Sequence, residues 1–338
     1  MKKVTAAGVA KAAGVSQTTV SAVLTDNQSI VISDPTRQKV IQAAKRLKYG
    51  PFDKTRFPGA AKNQVILMVP TMANPYYPEA LDLLESLIFE YKYRPLICCT
   101  NKSTQKETEF LESLDPVTVR AIIYLYTPQA RRSLNRLAKT LPVCVLGELD
   151  YDLNCLNIAL DSEKAGYMAM EHLWSLGHRA ICFVSNPVNN LSLSRKMRLD
   201  GIIQFAKEHD GMQSLYINTA ENLGEQDEWK TGKILTKKLL SEHREITAVI
   251  AANDMTAMGA FNAIHELKLS VPKDVAVMGF DNIVLSDVCI PHLTTVDHHI
   301  YDRAKLAIST LFDDKRKPLP KKIIYEPTLV VRQSTKKE

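Results

Sequence analysis

The sequence predicts an α/β chain in which a helix-turn-helix headpiece precedes two doubly wound α/β lobes. Three observations predict it. Two short helical patterns rich in small apolar residues meet at Gly14-Val15-Ser16. The net positive charge of the chain lies wholly in its first 62 residues. From Gln64 onward, short apolar runs of strand length alternate with longer amphipathic stretches.

The headpiece is assigned to residues 1–50. Val9, Ala12 and Ala13 form an apolar edge on the first helix, and Val20, Val23 and Leu24 form one on the second. Small residues between them let the helices cross closely. Ser16 is placed to cap the second helix by accepting from the amide of Thr18 or Thr19. Gln17, Thr18 and Ser21 then point outward, where they reach base edges if the helix enters a major groove. An ordinary helical hairpin fits the same turn. A third helix opens at Ser33-Asp34-Pro35, turns Val40, Ile41, Ala44 and Leu47 inward, and presents Arg37, Lys39, Lys45, Arg46 and Lys48 outward. Residues 1–62 hold eleven Lys or Arg against Asp26, Asp34 and Asp53, a net of +8, which leaves −2 for the remainder of a +6 chain. That asymmetry suits a small module that meets phosphate beside a larger body that does not.

The run Val9-Ala10-Lys11-Ala12-Ala13-Gly14-Val15-Ser16-Gln17-Thr18-Thr19-Val20-Ser21 resembles the signature of the LacI/GalR family of bacterial transcription regulators. The resemblance continues in Arg198-Leu199-Asp200-Gly201, Ala252-Asn253-Asp254-Met255, Gly279-Phe280-Asp281, Pro291-His292-Leu293-Thr294-Thr295-Val296 and Leu329-Val330-Val331-Arg332. It implies a repressor, and not an enzyme, that binds a palindromic double-stranded DNA operator as a homodimer. Its DNA affinity would respond to a sugar, sugar phosphate or related metabolite held between two lobes of periplasmic-binding-protein type. The implied DNA contacts are Thr5, Ser16, Gln17, Thr18, Ser21, Ala22 and Tyr49. Two departures matter: Ala22 stands where the family usually has Arg, and Gly8 where it has an acid, so base reading shifts toward Gln17 and Thr18. In the linker at 51–63 the family inserts a leucine into the minor groove. Pro58 takes that place here, and neighbouring Phe57 is the expected apolar wedge.

The bounds agree with this reading. At 338 residues, 45% hydrophobic and 24% charged, the composition is that of a multidomain globular chain. No apolar run reaches eighteen residues and no secretory signal opens the chain, so a cytoplasmic protein with no membrane partner is expected. The six cysteines show no Cys-x-x-Cys spacing, which favours reduced and mostly buried thiols. No Gly-x-Gly-x-x-Gly or Walker loop follows a strand, which argues against a nucleotide-type enzyme, and no cofactor is expected. His298-His299 beside Asp297 and Asp302 raises a metal reading, but adjacent histidines at a helix start point apart, and a solvated surface is the expectation. A free-standing transport binding protein would share the two lobes but carry an export signal in place of the basic headpiece.

The first lobe reads as strands at 65–69, 96–99, 121–126 and 143–146 separated by helices at 78–91, 104–114 and 130–140. The second reads as helix 163–176, strand 180–184, helices 192–208 and 229–242, strand 248–251, helix 255–267 and strand 275–279. A final unit brings helix 301–312 and strands 322–325 and 328–331. By the resemblance, lobe one is 64–160 plus 294–320 and lobe two is 161–293 plus 321–332. Ligands of paired doubly wound lobes bind at the carboxyl ends of the strands. That rule nominates Asn74, Tyr76, Tyr77, Asp150, Asn253 and Asp281, with the basic stretch from Arg195 to Gly201. The resemblance selects Arg198, Asn253 and Asp281 from these. Trp229 is a candidate stacking ring, with a core-facing helix position as its alternative. No leucine heptads follow Arg332, so a dimer is expected and not a tail-assembled tetramer.

Overall fold

The computed structural model describes residues 5–24, 32–47, 49, 63–147, 152–189, 192–220, 227–312 and 321–336. The nominated residues Phe57, Pro58 and Asp150 lie outside them. The chain divides into two units, Met1–Lys62 and Asn63–Glu338.

In the first unit, α1 (Ala6–Ala13), α2 (Gln17–Leu24) and α3 (Asp34–Arg46) enclose a small core of Val9, Val20, Val23, Val40 and Ala44. Thr5 caps α1, and its hydroxyl accepts from the Gly8 amide. The turn works because Gly14 adopts φ 68°, a left-handed conformation that costs glycine nothing, and its amide closes on the Ala10 carbonyl. Ser16 then caps α2 as expected, accepting from the Thr19 amide at 3.1 Å.

The second unit holds two six-stranded sheets. The first lobe runs β1 (Gln64–Val69), α4 (Tyr76–Glu90), β2 (Arg94–Cys99), α5 (Thr104–Ser113), β3 (Val119–Tyr124), α6 (Arg131–Leu137), β4 (Val143–Gly147) and β5 (Leu156–Leu160). The second runs α7 (Ser162–Ser175), β6 (Ala180–Ser185), α8 (Leu193–Glu208), β7 (Ser214–Thr219), α9 (Glu228–Glu242), β8 (Ala248–Ala251), α10 (Asp254–Glu266), β9 (Ala276–Asp281), α11 (Val284–Val288) and β10 (Thr294–Asp297). Then come α12 (Ile300–Phe312), β11 (Lys322–Tyr325) and β12 (Thr328–Val330). The central strands are apolar end to end because helices cover both faces; Val65 to Val69 and Ala180 to Val184 are all buried.

The strand orders are β11-β5-β4-β3-β1-β2 and β12-β10-β9-β8-β6-β7. Among the described residues all pairings are parallel except that of β10 with β12. Two expected assignments are corrected. β10 stays on β9 in the second sheet, and β11 pairs with β5 in the first. The chain leaves lobe two only after Asp297, so residues 294–297 do not join lobe one. It returns after Tyr325, so 322–325 do not join lobe two. The body is thus threaded three times between lobes: at Asp161, at His298-His299 and at Glu326-Pro327. Helix α12 lies in lobe one, where Ala304, Ala307, Ile308 and Phe312 complete the core around Leu67, Leu84 and Ile123.

One buried carboxylate organises lobe one away from the crevice. Glu107, fully buried on α5, accepts from the Tyr124 and Tyr126 hydroxyls at 3.0 and 2.8 Å and from the Gln129 and Ala130 amides. It ties α5 to β3 and to the start of α6. In lobe two, close backbone approach does the equivalent work. A Cβ on Gly166 would lie 2.0 Å from the Arg198 carbonyl oxygen, and one on Gly201 1.9 Å from that of Glu163, so only glycine lets α7 and α8 touch.

Among the described residues no helix is long and apolar enough to cross a membrane. Cys144, Cys155 and Cys182 are buried, whereas Cys99 is exposed on the edge strand β2.

Candidate effector site

Both sheets reverse their strand order beside their first strand, between β1 and β3 in one and between β6 and β8 in the other. Crevices open at such points, at the carboxyl ends of the strands. There the two lobes enclose a cavity of about 70 Å³. Lobe one contributes Asn74, Tyr76 and Tyr77 after β1, Lys102 after β2, and Arg303 from α12. Lobe two contributes Ser192, Ser194, Arg195 and Arg198 around the start of α8, Glu228 at the start of α9, Asn253 after β8, Asp281 at the end of β9, and His298 after β10.

The lobe-two groups form a connected set. Arg198, buried, donates to the Ala252 carbonyl at 2.5 Å, lies 2.9 Å from His298 Nε2, and covers the Phe280 ring at 4.7 Å. His298 Nδ1 lies 3.3 Å from Asp281 Oδ1. Burial pushes the Asp281 carboxyl well above the usual range, opposed by Arg198, and pushes the His298 imidazole well below its own, reinforced by Arg198 and Arg303. Behind Asp281, Asp254 accepts from the Thr295 hydroxyl at 2.6 Å and the Ile283 amide at 3.1 Å; burial pushes its carboxyl up to about 7. Asn253 caps α10 through Oδ1, which accepts from the Thr256 amide.

Polar links also cross between lobes. Asn74 Nδ2 donates to Glu228 Oε2 at 2.7 Å, while Arg195 donates to Glu228 Oε1 at 2.9 Å. Glu79 on α4 accepts from the Val284 amide. Arg303, fully buried, donates to the carbonyls of His298 and Ile158, which ties one crossing and strand β5 to α12. A cavity so lined offers guanidinium donors, carboxylate acceptors and amides to a small hydroxylated molecule. A water needs roughly 10–15 Å³ of such space, so the room is that of a few waters.

The structure brings Asn74, Tyr76, Tyr77, Arg198, Asn253 and Asp281 together in this cavity. It does not bring Trp229. That ring is 42% exposed, so both the stacking role and the core-facing alternative are corrected; Glu228, one residue earlier and about 100° around the helix, faces the cavity instead. His298 is also corrected: it is 7% exposed and lines the cavity, because it sits on a crossing between lobes and not on a free helix start. Among the described residues no cluster of His, Cys, Asp or Glu could hold a metal ion.

On the headpiece, Ser16, Gln17, Thr18 and Ser21 are exposed along α2. Thr5 is exposed at its cap and Tyr49 is half-buried against the headpiece core. Ala22 is corrected: at 4% exposure its methyl packs inward and is not presented to a partner. Lys11, Lys39 and Arg46 line a groove with Gly14 and Gln42.

Comparison with known proteins gives this arrangement a family. A model described as bacterial regulatory proteins, lacI family, matches residues 5–51, and one described as a periplasmic binding protein-like domain matches residues 170–335. The chain is 33% identical over 344 residues to the HTH-type transcriptional regulator DegA of Bacillus subtilis (strain 168), covering 98% of each. The chain belongs to the lacI family of bacterial regulatory proteins. A second lacI-family relative, the HTH-type transcriptional repressor PurR of Histophilus somni (strain 2336), is 32% identical over 97% of this chain and 98% of its own. The fold is also that of a periplasmic binding protein/LacI transcriptional regulator from Alkaliphilus metalliredigens QYMF, solved with D-xylulofuranose. That likeness has a TM-score of 0.71 at 23% identity and covers 81% of this chain and 100% of the other. As a lacI-family member the chain is a DNA-binding transcription regulator and not an enzyme.

Proposed function

We propose that this regulator represses carbohydrate-metabolism genes, and that a sugar or sugar phosphate held between its lobes changes its affinity for DNA. The observation that carries the reading is the convergence of Arg198, Asn253 and Asp281, from three different elements of lobe two, on one small polar cavity. A guanidinium supplies fork-like donors, a carboxylate accepts from paired hydroxyls, and an amide does both. The repressor PurR among the relatives and the sugar-bound structural neighbour support the two halves of the reading. The operator is a palindrome met by a homodimer. In support, the body exposes apolar side chains in both lobes: Phe89, Leu96 and Ile97 in one, Val284, Val288 and Ile290 in the other. Base edges are read by Gln17, Thr18 and Ser21.

Fluorescence anisotropy of the full chain on a duplex selected from random sequences tests this, with a series of monosaccharides and their phosphates added in turn. At least one is expected to change DNA affinity tenfold or more. Arg198→Ala and Asp281→Ala should weaken that response by about 1–3 kcal/mol of binding while leaving DNA binding itself intact. A response to no sugar, or one that both variants retain in full, overturns the reading.

A further inference from the structure

His298 carries chemistry that neither the family match nor the DNA-binding role absorbs. It follows β10 at the point where the chain passes from lobe two into α12 of lobe one, and groups from four elements surround the imidazole where it borders the cavity. From α8, the Arg198 guanidinium lies 2.9 Å from Nε2. From β9, Asp281 Oδ1 lies 3.3 Å from Nδ1. From α4, the Tyr76 ring stands edge-on, 5.7 Å between centroids at 80°. From α12, Arg303 donates to the backbone carbonyl of His298, and His299 follows in sequence.

The tautomer follows from the partners. A guanidinium has donors only, so a ring nitrogen facing it accepts. Nε2 is therefore unprotonated, the ring is neutral, and its one proton sits on Nδ1, facing Asp281. Burial opposes a positive ring, and so do the charges of Arg198 and Arg303. Asp281 in turn feels Arg198 and Arg195 on one side and Asp254 and Glu228 on the other.

We infer that His298, as the neutral Nδ1–H tautomer, is the positioning residue of the effector site, holding the Arg198 donors and the Asp281 acceptor in fixed relation across the cavity. The inference rests on the cavity being that site. A protonated ring would turn a second donor toward a guanidinium that can only donate, and the Arg198 to Asp281 alignment would be lost. Because Tyr76 of lobe one touches the same ring, the alignment also depends on how the lobes meet.

The test needs no effector. In the full chain labelled with 15N-histidine, long-range proton–nitrogen spectra of His298 are expected to show a protonated Nδ1 and a bare Nε2, unchanged from about pH 8 to about pH 5.5. A protonated Nε2, or titration near the ordinary value of about 6.5, overturns the assignment. In a second arm, the 13C-labelled Asp281 carboxyl is titrated in wild type, His298→Leu and His298→Asn. Losing the Nδ1 contact in His298→Leu should raise the Asp281 midpoint by about one pH unit, a tenfold change in proton affinity, and the amide of His298→Asn should restore most of it. Equal midpoints in all three proteins overturn the positioning role. Failure of the sugar response with both arms as expected would instead sink the effector reading and leave the His298 geometry standing.

Discussion

The two lobes share a topology but bury charge in opposite ways. In lobe one, Glu107 meets two hydroxyls and two amides, and nothing about it faces the cavity. In lobe two, Asp281 is almost as buried, yet it borders the cavity beside His298 and Arg198. A buried carboxylate surrounded by protein donors stabilises the fold. On the proposed function, one that borders a cavity with acceptor capacity left is held for a molecule that is not part of the chain. The difference lies in the completeness of the hydrogen bonding and not in the depth of burial.

Replacing each carboxylate should separate the two uses. Glu107→Leu strands the Tyr124 hydroxyl and the Gln129 and Ala130 amides, while the Tyr126 hydroxyl keeps Thr100 at 2.6 Å. At about 1–3 kcal/mol for each stranded group, urea denaturation should report a loss of about 3 kcal/mol or more. Asp281→Asn should cost under about 1 kcal/mol of folding stability by the same measurement, since an amide retains an acceptor oxygen. If the two losses are equal, the contrast between lobes fails.

The close α7–α8 approach offers a sharper test within lobe two. Gly166→Ala forces the Arg198 backbone away, and overpacking of this kind costs about 1–3 kcal/mol. The shift should be visible as changed NMR resonances of Arg198 and, beyond it, of His298, which the substitution does not touch directly. Unchanged resonances would show that α8 does not set the guanidinium.

The smallest effect concerns pH. Burial raises the Asp254 carboxyl to about 7, so the folded chain holds that proton more tightly than the unfolded chain does. The associated stability is complete below the ordinary carboxylate range and is lost as pH rises through about 7. Thermal melts should therefore show wild type losing stability between about pH 4 and about pH 7 relative to Asp254→Asn. Parallel curves would show that Asp254 keeps its ordinary proton affinity.

Much of this was legible in the residues. The alternation after Gln64 and the Gly-Val-Ser turn gave the lobes and the headpiece, because both follow from local periodicity and turn chemistry. Strand β5 escaped because Asn157 interrupts its short apolar run, and β7 because an edge strand with Ser214, Asn218 and Thr219 lacks one. At the cavity, residues after β1 and β8 and at the end of β9 were found, since strand ends define the crevice, whereas Lys102 after β2 was not. Glu228 and Trp229 were exchanged because one residue of helix phase turns a side chain by about 100°. Nothing local distinguishes His298 from a surface histidine or Arg303 from a solvated one. Both owe their burial to crossings that only the folded topology creates.

Those crossings also govern when the body can be made. A ribosome has released all of β1 to β5 long before α12 and β11 emerge, yet lobe one cannot finish its core without Ala304, Ala307, Ile308 and Phe312 or its sheet without residues 322–325. Lobe two, whose strands from β6 to β10 follow one another in the chain, also waits for β12 and for the buried Ser334 and Thr335, which bond to Val277, Thr294 and His172. The nascent chain therefore holds an open apolar face on its earlier half until α12 emerges, and chain termination at 293 would leave that face exposed to aggregation.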